Sequence, residues 1–153
     1  MSCPTNAPVL QGNGPPVDAS FRQAHDAGMY HLLIVAVGGA IGSGLRHLVN
    51  MASLRLMGPS FPWGTLAVNL VGSFTMGVIV ELIARRFGAS NELRLFIATG
   101  ILGGFTTFSA FSLDTVLLWE RGAVAACVAY VGLSVLGSLA ALFAGLWLAR
   151  TFA

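Results

Sequence analysis

Four long apolar segments, separated by short polar connections, dominate the pattern of the chain. Each has about 20 or more residues, and a helix of that length, at ~1.5 Å per residue, crosses the ~30 Å hydrocarbon core of a bilayer. Trp63 and Trp119 stand at segment ends, where aromatic side chains favour the membrane interface. The pattern predicts four transmembrane helices, over residues 32–54, 63–83, 93–119 and 123–148.

The residues before the first apolar segment have a different character. Residues 1–28 are rich in Pro, Gly, Asn and Gln and lack the apolar core of a signal peptide. Such a segment buries too little apolar surface to fold, so we predict a disordered polar leader over residues 1–28 and a four-helix transmembrane domain over residues 29–153. Met29 is a candidate initiator residue, because it directly precedes the apolar region.

Composition indicates a lipid environment. Hydrophobic residues make up 56% of the chain and charged residues 9%, whereas a soluble domain carries about 25% charged residues. The predicted fold class is therefore an all-α integral membrane protein. The net charge of +2 comes from scattered residues and gives no indication of nucleic-acid binding.

All eight basic residues are Arg, and several lie where apolar segments end, as interfacial anchors do. An even number of spans places both chain ends on one side of the membrane. Five Arg residues fall on that side and three on the other: Arg22, Arg85, Arg86, Arg94 and Arg150 against Arg46, Arg55 and Arg121. Because the Arg and Lys excess in loops sets orientation, this weak bias predicts dual topology.

Small residues predict close packing of the helices. Gly38 and Gly42 form one GxxxG motif, and Gly100 and Gly104 form another; this spacing lets membrane helices approach closely. Four helices are few to enclose a pore within one protomer. The glycine motifs and the balanced charges together favour an antiparallel dimer.

Two helices carry polar stripes. In the second segment, Asn69 recurs at helical spacing with Thr65; in the fourth, Tyr130, Ser134 and Ser138 share one face. One interpretation is structural, because Asn bonds between helices and Ser bonds to its own backbone in membranes. The other is functional, since neutral donors that face a hydrated path can bind an anion.

The third segment contains poor helix formers at its centre, in the run GILGGFTTFSAF at residues 100–111. The midpoint of the segment is Thr106, so we predict a helix broken near mid-membrane. Irregular backbone at that depth is tolerated only inside protein or beside a water-filled cavity, and its free carbonyls can coordinate a cation. Phe108 and Phe111 share a face, either for packing or to turn positive ring edges toward an anion.

Catalytic and zinc chemistry are not indicated. The two Cys and three His residues are dispersed, and no nucleophile–base pair or phosphate-binding loop occurs. The sequence therefore predicts that the protein is not an enzyme. A proton-coupled pump is not indicated either, because such a pump places a carboxylate deep in its path. Glu81 and Asp114 lie within a turn or two of segment ends, and Arg46 is the only cation well inside a segment.

Three linked motifs resemble those of the CrcB/Fluc family of fluoride channels. The first is GGAIG at residues 38–42 with Arg46, and the second is FPWGTL at residues 61–66 with Asn69. The third is the run at residues 100–111. The likeness covers residues 32–148, in order and with matching spacing.

The resemblance implies an antiparallel dual-topology homodimer in the bacterial inner membrane that exports fluoride passively from the cytoplasm and relieves fluoride toxicity. It also implies a structural sodium ion at the dimer centre, held by backbone carbonyls of Gly103 and Thr106. By the same resemblance, six side chains line the fluoride pore: Asn69, Phe108, Phe111, Tyr130, Ser134 and Ser138.

Departures from the family pattern include Ser43, His47, Ala110, and an Asp114 where Glu is usual; none removes a pore residue. Two alternative functions remain. A small dual-topology drug or cation exporter of four helices would need an acid in its first helix, and residues 32–54 contain none. A structural membrane subunit would use the polar stripes only for packing.

Overall fold

The computed structural model describes residues 17–86 and 90–152, and within these ranges the chain is helical, with no strand. Four helices are long and apolar enough to cross a membrane: Asp26–Met57, Trp63–Arg86, Asn91–Glu120 and Val124–Phe152. The predicted all-α fold with four spans is therefore confirmed. The elements are α1 (Val17–Met57), α2 (Trp63–Arg86), α3 (Asn91–Arg94), a π-helix (Leu95–Leu102), α4 (Gly103–Phe105), α5 (Phe108–Glu120) and α6 (Val124–Phe152).

The first helix is longer than its apolar segment. It begins at Val17, so residues 17–28 are helical although the sequence predicts disorder there. A formed helix extends at little cost, because only its first turn carries the full penalty of nucleation, and no proline follows Pro16 in this stretch. Residues 1–16 of the predicted leader lie outside the described residues, and the boundary at residue 28 stays a prediction.

Glycines end two of the helices. Gly58, after α1, has φ 76°, and Gly122, after α5, has φ 72°. This left-handed conformation favours glycine, which has no Cβ to clash. The Gly58 N–H donates to Leu54 O at 3.1 Å and the Gly122 N–H to Trp119 O at 2.9 Å. These turns set the short connections that bring neighbouring helices together.

The two GxxxG motifs pack against each other inside one protomer. A Cβ added at Gly38 would lie 2.6 Å from Phe96 O, and one at Gly104 would lie 2.6 Å from Gly39 O. A Cβ at Gly42 would meet Ile101 O even more closely. The motifs therefore join α1 to the third span within one protomer, which confirms the predicted close packing of helices; self-association stays a prediction.

A second close approach joins α2 to α6. A Cβ on Gly77 would collide with Leu142 O, and a Cβ on Gly145 would collide with Phe74 O. Beyond these glycines, Glu81 accepts from Arg150 Nε at 3.1 Å and from Arg85 Nε at 2.6 Å. Glycines thus allow close packing of α1 on the third span and of α2 on α6.

The outer surface is apolar and the interior is small. Leu56 is 81% exposed, and Phe143 and Trp147 are each 67% exposed. The core cluster contains Leu66, Phe111, Leu118, Cys127 and Tyr130. In water this surface would be unfavourable, but lipid tails solvate it.

Two glycines of α1 test the close approach. We expect Gly42→Ala to lower the free energy of unfolding by about 1–3 kcal/mol, because its Cβ has no room against Ile101. Gly44→Ala is the matched control, since a Cβ there meets nothing within 4 Å, and Ala favours helix by up to about 1 kcal/mol. The measurement is unfolding of the purified protein in detergent. Equal losses in both variants would contradict the packing explanation.

Candidate functional site

The third span is interrupted between α4 and α5. Thr106 (φ −80°, ψ 161°) and Thr107 (φ −156°, ψ 125°) have extended backbones. Thr106 Oγ1 and Thr106 N both donate to Leu102 O at 3.0 Å, which closes the preceding turn. Thr107 Oγ1 accepts from Ala110 N at 3.2 Å and so caps the start of α5. Thr106 thus ends one helix and Thr107 begins the next.

Asn69 binds the interruption through both ends of its amide. Its Nδ2 donates to Thr107 O at 3.0 Å, and Thr107 N donates to its Oδ1 at 2.9 Å. The side chain therefore pairs with Thr107 as a neighbouring strand would. In a continuous helix the Thr107 N–H would donate to Gly103 O. Because it donates to Asn69 Oδ1 instead, Gly103 O lacks its usual helical donor.

Helix α1 approaches the same backbone from the other side. Arg46 Nη1 donates to Thr106 O at 3.3 Å, and Ser43 Oγ donates to Gly104 O at 3.5 Å. The sequence identifies Arg46 only as a cation well inside an apolar segment. Its partner is a main-chain carbonyl, which sequence reasoning missed because the pattern of side chains does not reveal a freed carbonyl.

Five of the six predicted pore residues line a single groove of about 360 Å³. The groove lies between α2, the interruption with α5, and α6. Its polar lining comes from Asn69, Ser73, Thr106, Thr107, Ser134 and Ser138, and its apolar lining from Phe108, Phe111, Val135 and Leu139. None of these side chains is charged, so the groove offers hydrogen bonds and ring edges without a fixed charge.

The two serines of α6 have buried hydroxyls, and that of Ser134 lies near the Tyr130 hydroxyl. The Oγ atoms of Ser134 and Ser138 are buried and have no hydrogen-bond partner in the described part of the chain. The alternative in which each serine bonds to its own backbone one turn back is therefore wrong. A buried hydroxyl without a partner costs about 1–3 kcal/mol, so these two atoms favour a bound ligand or water in the groove.

The two phenylalanines differ in exposure. Phe108 is 77% exposed at the open edge of the groove, whereas Phe111 is 9% exposed at its inner wall. Their ring centroids are 5.5 Å apart with planes at 44°. Phe111 in turn packs on Tyr130, with centroids 5.5 Å apart. The pair therefore extends from the surface of the protomer to its core.

Tyr130 lies behind the groove rather than among its lining residues. It is fully buried, and its hydroxyl donates to Asp114 Oδ2 at 3.2 Å. Because the single hydroxyl proton is given to Asp114, Tyr130 does not simultaneously donate into the groove. Asp114 and Thr65 also line a second cavity of about 350 Å³ near the α1–α2 connection. Tyr130 thus stands between two cavities.

The predicted cation ligands are neutral carbonyls. In the described ranges no group of three His, Cys, Asp or Glu residues could hold a metal ion, and a divalent ion would require such carboxylates. Gly103 O has lost its helical donor, and the extended ψ of Thr106 turns its carbonyl out of the helix. Thr106 O also accepts from Arg46, and a monovalent cation held by these two carbonyls stays a prediction.

Fold and site together define a multi-pass membrane protein with a neutral polar groove beside an interrupted helix. The sequence profile of the family described as CrcB-like protein, Camphor Resistance (CrcB), matches residues 33–146. The chain belongs to this family.

Several relatives are similar over nearly their whole length. The chain is 64% identical over 123 residues to the "Fluoride-specific ion channel FluC" of Chelativorans sp. (strain BNC1), which covers 80% of this chain and 98% of the relative. The protein of the same name from Mesorhizobium japonicum is 63% identical with the same coverage. That of Agrobacterium fabrum is 61% identical over 122 residues. These relatives are ion channels and not enzymes.

The pairing between Asn69 and Thr107 can be tested by hydrogen exchange. Asn69→Leu leaves the N–H and C=O of Thr107 without partners, so the Thr107 amide should exchange faster and stability should fall by about 1–3 kcal/mol per group. Ser73→Ala changes the same groove but keeps the Asn69 amide, so Thr107 should stay protected. Slow exchange of Thr107 in both variants would show that other groups satisfy this backbone.

Proposed function

We propose that this protein is a fluoride-selective ion channel that passively exports fluoride from the cytoplasm and so relieves fluoride toxicity. The observation that carries the proposal is the groove, in which neutral donors and two phenylalanines from three elements line one path. Relatives more than 60% identical over most of this chain are named fluoride-specific ion channels.

The chemistry of the groove suits a small anion. Fluoride is strongly hydrated, so a path must replace its water with donors and must avoid a cation that would trap it. Ser134 and Ser138 have unpaired hydroxyls, and Asn69 Nδ2 has a second hydrogen beside the one on Thr107 O. Phe108 and Phe111 add ring edges, which carry partial positive charge.

The functional unit is an antiparallel homodimer in the inner membrane. Two observations support it. The weak Arg bias permits insertion in both orientations, and the groove opens at the surface of the protomer beside the exposed Phe108. A second copy would cover this open side. In such a dimer the two-fold axis lies in the membrane plane, so the extended Thr106 and Thr107 would meet their counterparts near mid-membrane.

A structural sodium ion at the dimer centre completes the proposal. Gly103 and Thr106 of each copy would supply backbone carbonyls, which otherwise need partners in a dry interior. The charge of the bound ion would raise the electrostatic potential felt by passing anions. The exporter alternative receives no support, because residues 32–54 of the first helix contain no acid.

Fluoride efflux from liposomes tests the channel. We expect Asn69→Asp to abolish flux because it places a negative charge on the path. The double variant Ser134→Ala, Ser138→Ala should reduce flux about tenfold or more, since hydrogen bonds to charged groups are worth about 1.5–3 kcal/mol each. Phe108→Ile and Phe111→Ile should also reduce it severely.

The control for this assay is Ser112→Ala, because the Ser112 hydroxyl already donates to Phe108 O at 2.9 Å and lies outside the groove lining. It should conduct at the parent rate. If the folded groove variants conducted as fast as this control, the groove would be a packing feature and not the path.

Dual topology can be tested with one cysteine. With Cys3 and Cys127 replaced, a Ser60→Cys variant carries a single thiol in the exposed connection between α1 and α2. A membrane-impermeant thiol reagent should label part of the protein from outside intact cells and the rest only after permeabilisation. Complete labelling from one side would contradict antiparallel assembly.

A further inference from the structure

Arg46 is the charged member of a set of three side chains that hold the carbonyls of the interruption. Ser43 donates to Gly104 O and Asn69 to Thr107 O, and both are neutral. Arg46 donates to Thr106 O at 3.3 Å, is half-buried, and lies inside the first span. No ion pair in the described residues includes Arg46. The guanidinium therefore binds a main-chain carbonyl and not a carboxylate.

We propose that the Arg46 guanidinium competes with sodium for the Thr106 carbonyl and thereby sets the sodium concentration at which the dimer is stabilised. This inference rests on the proposed dimer and its sodium site. A carbonyl oxygen has two lone pairs, so geometry allows two partners at Thr106 O. Two positive charges on one oxygen repel each other, and the repulsion is stronger at a partly buried site than in water.

The competition gives Arg46 a role that neither Ser43 nor Asn69 has. In a protomer without the ion, the guanidinium satisfies Thr106 O, so the freed carbonyl is not left unpaired before assembly. When sodium binds, the guanidinium must move away or share the oxygen at an electrostatic cost. The affinity for sodium is therefore lower than the carbonyls alone would provide. The charge of residue 46 determines the size of this loss of affinity.

The test is a sodium titration of the purified full-length dimer in detergent, with a large organic cation replacing sodium at constant ionic strength. The readout is the thermal unfolding midpoint, which rises as a ligand binds the folded state. For Arg46→Gln, the sodium concentration at which the midpoint begins to rise should be at least tenfold lower than for the parent, equivalent to about 1.4 kcal/mol.

Two further variants separate charge from structure. Arg46→Lys retains a positive charge and should titrate close to the parent. Ser43→Ala removes a neutral contact from the neighbouring carbonyl and should also titrate within about twofold of the parent. A purely structural role for Arg46 would lower the unfolding midpoint of Arg46→Gln at every sodium concentration without shifting the concentration at which the midpoint begins to rise.

The proposal would be overturned if Arg46→Gln needed as much sodium as the parent, or more, to raise its unfolding midpoint. It would also be overturned if sodium did not change the unfolding midpoint of either the parent or Arg46→Gln. Fluoride efflux of the parent from liposomes is measured in parallel. Because efflux reports the channel and the titration reports the cation site, loss of the Arg46 inference with intact efflux is distinguishable from failure of the proposed function.

Discussion

The main constraint on this protein is that a helix interrupted among apolar neighbours must still satisfy its backbone. Lipid offers no water to the N–H and C=O groups of Thr106 and Thr107, so protein groups must take its place. Asn69 does this with two hydrogen bonds to Thr107, in the manner of an adjacent strand. The position of α2, which carries Asn69, and the start of α5, which Thr107 caps, both depend on this pairing.

The glycine contacts explain how the interruption is reached from both sides. Helix α1 lies close enough to the third span for Arg46 and Ser43 to touch its carbonyls, because Gly38 and Gly42 allow main chain to meet main chain. On the other side, Gly77 and Gly145 bring α6 against α2. The unpaired serines of α6 and the amide of Asn69 consequently border the same groove.

Much of this arrangement could be predicted from the sequence. Segment length and hydropathy predict the spans, and helical spacing predicts which side chains share a face, as for Ser134 and Ser138. Spacing does not identify the neighbour that a face meets. It therefore could not predict that the GxxxG motifs face each other within one protomer, that Arg46 binds a carbonyl, or that the Tyr130 hydroxyl is given to Asp114. These outcomes depend on tertiary contacts between distant segments.

The length of α1 has a consequence for the outside of the membrane. Its 41 residues extend about 60 Å at ~1.5 Å per residue, roughly twice the ~30 Å hydrocarbon thickness. The first turns of α1 therefore project beyond the lipid as a stiff rod continuous with the packed bundle. In an antiparallel pair one such rod would stand on each face of the membrane. The protein would then expose the same surface to the cytoplasm and to the compartment on the other side of the membrane.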